Sequence, residues 1–325
     1  MSAASPDPKP AVPPPAISVI LPTRNRAAQV CETLRHVAAQ ETGGEFTYDV
    51  LLIDNGSTDD TRVRVEALQG AFPVHLRYLY QGRVGKPYAL NTAIREATGA
   101  ILVMLDDDII VSPEWLRALW TCFGQEQADA VCGRVFPDWE GPRPAWFDEE
   151  VLRHINETGL GCIDHGAARR RTADGQDCRW VGGNLAIRRE EALRVGPFHS
   201  ALARGQDSDY YARCVSSGLR IVYEPDALAH HRIGPERLSV QAFRQWRHRQ
   251  GYYEAMLLPW KPSHVITVMP IWRWAMTLKA LWAWLVSRLP GRSRWERFHA
   301  GLKLREEVGA WAYRLQHWPG RRAHG

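Results

Sequence analysis

The chain has 325 residues, 45% of them hydrophobic, so one large domain, or a domain with an appendage, can build a real core. Its net charge of +5 is uneven: from Arg232 onward 17 Lys/Arg stand against 5 Asp/Glu, a balance of +12 that leaves −7 for the rest. A nucleic-acid module would explain the basic end but not the acidic motifs elsewhere, so no nucleic-acid partner is expected.

Residues 1–16, "MSAASPDPKPAVPPPA", are rich in Pro and Ala and lack a basic stretch followed by an apolar one. They read as a disordered leader rather than a secretory signal. The six cysteines form no CxxC pair. Without an export signal they are expected as reduced thiols in a cytoplasmic protein, a Cys162–Cys178 pair being the alternative. Next, "ISVIL" (17–21) predicts a strand, and the apolar spacing of Val30, Leu34 and Val37 a helix over 27–41. "DVLLID" (49–54) is a second strand, and Ser57 opens a helix over 57–68. A strand over 74–80, a helix over 87–98 and the strand "AILVML" (100–105) follow. Ser112 and Pro113 start a helix over 112–123, and a strand lies near 129–134. Residues 137–179 look like loop, 180–193 like a strand leading into a helix, and 205–231 like helix, turn and strand. Three helices are expected near 238–258, 265–289 and 295–316. The alternation predicts an α/β fold, a mostly parallel sheet with helices on both faces, plus a C-terminal helical region.

In such sheets ligands bind outside the carboxyl ends of the strands. Those ends read "PTRNR", "DNGSTDDT" and "DDD". On a continuing strand Asp106 and Asp108 would point one way and Asp107 the other. Two neighbouring carboxylates are favourable when a cation sits between them, and Mg²⁺ takes such oxygens together with substrate phosphates. The plain alternative is a solvated acidic loop. Asp54 or Asn55 could bond a base or ribose, or simply shape the turn before the next helix. Arg83 and Lys86 precede a helix, where cations and the helix start both favour phosphate, without P-loop spacing. Of Asp207 and Asp209, two apart on a helix, only one reaches any given site. A histidine of the pair 230–231 could join a metal shell begun by carboxylates.

Together "SVILPTRNR", "LLIDNGSTDDT", "GKPYALNTAIREATG", "LDDD", "GGNLAIRR", "GPFHSALARGQDSDYYARC" and "YEPDALAHH" resemble the inverting glycosyltransferases of family 2, which have the GT-A fold. The resemblance covers 17–231, about two-thirds of the chain. It implies a nucleotide-sugar-binding half over 17–135 and an acceptor-binding half over 136–231. It places Pro22, Thr23, Arg24, Asn25, Asp54, Asn55, Lys86, Asp106 and Asp107 around the donor. Asp106, Asp108 and His231 (or His230) would hold Mg²⁺ or Mn²⁺, and Trp180, Gly183 and Asn184 would border the acceptor. Asp207 matches the catalytic base. Two departures stand out: Asn55 replaces a common acidic residue, and Gln206 replaces a common Glu. The implied activity is transfer of a sugar, from a UDP-sugar first of all, to a glycan or lipid-linked acceptor, in surface polysaccharide or glycolipid synthesis. A catalytically inactive sugar-binding relative is the alternative.

The region 232–325 is basic and helical. Its stretch 264–289 is dense in Trp, Ile, Leu and Val but interrupted by Arg273, Lys279 and Arg288. Central charges argue against a span, and Trp with Lys/Arg suits a helix lying in the headgroup interface. An anionic membrane surface at the inner face of the cell membrane is therefore an expected partner. A helix packed on the catalytic body is the alternative. A nicotinamide enzyme is disfavoured because "PTRNR" stands where its glycine fingerprint belongs. An aspartyl phosphatase is disfavoured because its acidic motif follows the first strand, not the fourth.

Overall fold

The computed structural model describes residues 15–154, 159–202, 205–257, 265–266 and 269–317; all but the last two residues of the expected leader lie outside these. The first half alternates as its pattern predicts: β1 (Ile17–Thr23), α1 (Ala27–Ala38), β2 (Tyr48–Asp54), α2 (Thr61–Gln69), β3 (Leu76–Tyr80), α3 (Lys86–Glu96) and β4 (Ile101–Leu105). Every residue of β1, β2 and β4 is buried, the signature of strands covered on both faces. Alternate side chains feed two cores. Val19, Leu21, Val50, Leu52 and Val103 pack on one face; Ile20, Leu51, Ile53, Leu102 and Met104 pack on the other. These strands run parallel in the order β3–β2–β1–β4, so Thr23, Asp54 and the acidic triplet emerge at one edge. α2 starts at Thr61 rather than Ser57. The Ser57 N–H donates to Asp54 Oδ1 (2.7 Å) and the Thr61 N–H to Asp59 Oδ1 (3.1 Å), which keeps the intervening residues in a turn.

The second half contains β5 (Ile109–Val111), α4 (Trp115–Glu126), β6 (Ala130–Trp139), α5 (Glu149–Arg153), β7 (Arg170–Arg171), β8 (Asn184–Arg188), α6 (Arg189–Val195), α7 (Gln206–Ser216) and β9 (Ile221–Ile233). The sheet continues β4–β8–β6–β9–β5, with β7 on β9. β8 is antiparallel to both neighbours and β5 antiparallel to β9, so the sheet is parallel over its first four strands and mixed beyond. The expected loop over 137–179 is interrupted: β6 runs on to Trp139, and α5 and β7 lie within it. β5 is too short for periodicity to reveal, yet it sets the site's register. All six cysteines are free and buried.

A two-stranded ladder, β10 (Val265–Ile266) and β11 (Met269–Pro270), precedes α9 (Ile271–Val286), which lies between α8 (Val240–Leu257) and α10 (Arg294–Gln316) in sequence. α10 opens on a capping box of Ser293 and Glu296. α8 and α10 meet almost backbone to backbone, since a Cβ on Gly251 would overlap the Glu306 carbonyl and one on Gly309 the His248 carbonyl. Trp295 joins Phe147, Leu160, Ile233 and Phe243 in a third core, which ties the helices to the second half of the sheet. No described helix is long and apolar enough to cross a membrane.

Candidate active site

β4 ends at Leu105, and the Ile109 N–H donates to the Asp106 carbonyl (3.3 Å), closing a turn over the acidic triplet. This turn corrects the strand alternation expected there, because it sends the three carboxylates to three sets of partners. Lys86 Nζ donates to Asp106 Oδ1 at 2.5 Å. Asp107, expected to point away, is buried and accepts from Thr23 Oγ1 (2.7 Å) and Arg26 Nη1 (2.8 Å). Asp108 Oδ2 accepts from the same Arg26 Nη1 (2.8 Å) and lies 3.4 Å from His231 Nε2. That meeting follows from register: β5 pairs Ile109 opposite His231, and the Arg232 N–H donates to the Asp108 carbonyl (3.0 Å). His230 instead tilts against Phe136. Burial opposes the Asp108 anion, but His231, Arg26 and Arg237 together hold its carboxyl well below the usual range. Burial pushes Asp107 up, against the pull of Arg26.

Asp207 enters from the first turn of α7. Burial raises its carboxyl above the ordinary value; the Lys86 ammonium opposes that, and Asp106 adds to it. Burial likewise lowers Lys86, yet Asp106 and Asp207 more than offset this and hold it above its ordinary value. The glycine pair 182–183 makes this proximity possible. A Cβ on Gly182 would overlap the Asp207 carboxylate, and one on Gly183 would overlap Ile109 and press on Asp106 at 3.3 Å. Asp209 turns elsewhere, to Arg213 Nε and His199 Nδ1, both at 3.1 Å. Trp180 does not offer the open platform expected of it: it is buried edge-on against Tyr211 and donates Nε1–H to the Asp207 carbonyl (3.2 Å). Asn184, expected to border the acceptor, turns inward. It is fully buried, donating to the Ala227 carbonyl (2.8 Å) and the Arg134 carbonyl (3.1 Å) and accepting from Trp115 Nε1 (2.9 Å). A side-chain amide held among three strands and a helix is unavailable to an acceptor.

The donor-side residues shape loops. Pro22 is buried within β1, and Arg24 is exposed. Asn25 sits at φ 52°, a backbone region Asn tolerates, and its Oδ1 accepts the Thr58 N–H (2.7 Å). Asp54 Oδ2 accepts from Tyr78 Oη (2.6 Å). Asn55 donates to the Arg83 carbonyl (2.8 Å) and accepts the Gly85 N–H (2.7 Å). Asn55 thus braces the loop that delivers Lys86, while the Asp54 carboxylate ties Tyr78 of β3 to the turn at Ser57. Arg83 lies over the Tyr88 ring, 4.2 Å from its centroid.

The residues that sequence reasoning missed are the cations of the turn, Arg26 and Arg237. Arg237 Nη1 is 2.9 Å from His231 Nε2 and 4.0 Å from Asp108 Oδ2. Among the described residues no group of three or more His, Cys, Asp or Glu side chains is arranged to hold a metal ion. Asp108 and His231 nevertheless fit a divalent ion as a two-ligand set: a hard carboxylate oxygen beside an imidazole nitrogen, already drawing one cation between them. Asp106 is held apart by Lys86.

A family model described as Glycosyl transferase family 2 matches residues 18–178, and one described as Glycosyl transferase family group 2 matches 101–302. The chain is 26% identical over 236 residues to Succinoglycan biosynthesis protein ExoM of Rhizobium meliloti, covering 72% of each chain. It is 26% identical over 262 residues to Glycosyltransferase AglE of Haloferax volcanii, covering 79% of this chain and 80% of that one. It is also 26% identical over 260 residues to Glucosyl-dolichyl phosphate glucuronosyltransferase of the same archaeon, covering 74% and 77%. Among solved structures, Mannosyltransferase PcManGT from Pyrobaculum calidifontis, in complex with GDP-Man and Mn²⁺, shares the fold with a TM-score of 0.58 at 19% identity, covering 95% of this chain and 91% of that one.

Proposed function

The chain belongs to glycosyltransferase family 2, and from that premise we propose that it moves a sugar from a nucleotide-sugar donor to an acceptor hydroxyl with inversion. The observation that carries this reading is the approach of Asp207 to Asp106 across the 182–183 glycine pair, with Lys86 between them.

A base and a donor cradle from different elements then stand side by side. Asp207, raised by burial, takes the proton of the attacking hydroxyl, and a raised carboxylate is a better general base than an ordinary one. Lys86 and Arg26 present cations at the strand edge where a diphosphate would lie. Asp106 would contact the ribose of the donor. Asp108 and His231 would hold Mg²⁺ or Mn²⁺, which supplies Lewis-acid stabilisation of the departing diphosphate. A single displacement inverts the anomeric carbon, so no second carboxylate nucleophile is required. Relatives named for succinoglycan synthesis and for a dolichyl phosphate substrate support glycan or lipid-linked acceptors in surface polysaccharide or glycolipid synthesis.

The test is a panel of UDP-, GDP- and dTDP-sugars with Mg²⁺ or Mn²⁺, offered with oligosaccharide and lipid-linked acceptors and read as nucleotide release. A UDP-sugar is the first donor expected to turn over. Binding of a donor without any turnover would instead favour an inactive sugar-binding relative.

A further inference from the structure

α9 is amphipathic the wrong way round for a helix in water. Its inward side carries Arg273 and Thr277, which both donate to Glu307 Oε2 of α10, at 3.0 and 2.9 Å. Trp274 meets Trp311 edge-on on the same side. Its outward pole carries Ile271, Leu278, Trp282 and Leu285, 55%, 61%, 68% and 49% exposed, with Trp272 and Met276 beside them. The two sets are offset by about half a turn, so the arginine lies inside and the leucines outside. A surface helix normally shows the reverse. A contiguous apolar patch of this kind marks an interaction surface.

We propose that this outward face docks on an anionic lipid bilayer, lying in its surface without crossing it. The 16-residue helix is about 24 Å long, short of the roughly 30 Å hydrocarbon core. Between Glu254 and Glu296 there is no acidic residue and there are six Lys/Arg. Lys279 and Arg288 are exposed around the patch. Tryptophans with basic neighbours suit the headgroup layer, and the cations complement anionic lipid. A second copy of the chain fits less well. A helix–helix seam is a narrow stripe, whereas this apolar surface spans a stripe and its flank, and pairing two copies would oppose two basic rims. The inward ion pair keeps α9 fastened to α10 whether or not lipid is present.

Flotation of the full chain with phosphatidylcholine vesicles, with and without phosphatidylglycerol, tests the docking. The chain is expected to float with the anionic vesicles, at least tenfold more than with neutral ones. A Leu278→Glu, Trp282→Glu double variant is expected to stay at the bottom, while Val63→Glu, on exposed α2, floats normally. If the double variant melts early, Trp282→Ala gives the same readout more mildly, with about a fivefold loss. Absence of flotation, flotation of the folded double variant, or a solution dimer that only the double variant breaks would overturn the proposal. Donor turnover is read separately, so loss of one result leaves the other standing.

Discussion

The acidic turn at 106–108 and the α9–α10 contact both remove charge from water, but by opposite designs. At the turn, three carboxylates meet Lys86, Arg26, His231 and Arg237, drawn from four separate segments. Three of those cations remain about a quarter to a half exposed. At the helix contact, Arg273 and Glu307 are 4% and 5% exposed and locked at 3.0 Å. An incoming diphosphate or metal can compete for the first set of charges; nothing can reach the second. The difference separates a part-exposed ion network, whose proposed use is to exchange partners with the donor, from a buried pair that holds a helix in place. Five variants press on that distinction.

The largest effect is expected from Asp207→Asn, which keeps the shape and removes the proposed base. Transfer should fall about a thousandfold, roughly 4 kcal/mol in the barrier, with donor affinity retained. Asp209→Asn, two residues on, should stay within about tenfold of wild type because its partners are Arg213 and His199. Initial rates at saturating donor separate the two. Next, Glu307→Ala leaves the buried Arg273 only the longer contact to Glu254 (3.8 Å) and should lower stability by about 3 kcal/mol in a denaturant titration, with specific activity of the folded fraction unchanged. Gly182→Ala should come third. Its methyl overlaps the Asp207 carboxylate, and displacing a base by about 1 Å removes roughly a hundredfold of rate. A wild-type rate would show that Asp207 need not sit where it does.

The smallest effect is a shift of a pH profile. Asp207 must be ionised to act, and burial raises its carboxyl, so activity should fall with decreasing pH through a value above the ordinary carboxylate range. Lys86 pulls that value down. Lys86→Met should therefore move the acid limb to higher pH, whereas a cation serving only the donor would alter KM and leave the limb in place.

The parallel half was legible because β1, β2 and β4 are mostly apolar runs followed by polar stretches, which a parallel sheet gathers at one edge. Choosing Asp207 over Asp209 as the residue reaching the site needed only helical geometry and the family motif. The cations were harder to find. Nothing in "PTRNR" distinguishes Arg24, which is exposed, from Arg26, which turns onto Asp107 and Asp108 from the residue just before α1. Arg237 lies beyond the last motif and reaches His231 only because a turn follows β9. The inward turn of Asn184 was hidden for a related reason: its sequence gives no sign that the carbonyls of Arg134 and Ala227, from two other strands, claim its amide. The alternation argument for the triplet failed because β4 stops one residue before it.

Anomeric configuration distinguishes a single displacement from a double one in one spectrum. With whichever nucleotide-sugar the donor panel selects, proton NMR of the early product should show the anomeric centre inverted relative to the donor, as a single displacement assisted by Asp207 requires. A product that keeps the donor's configuration would contradict the account.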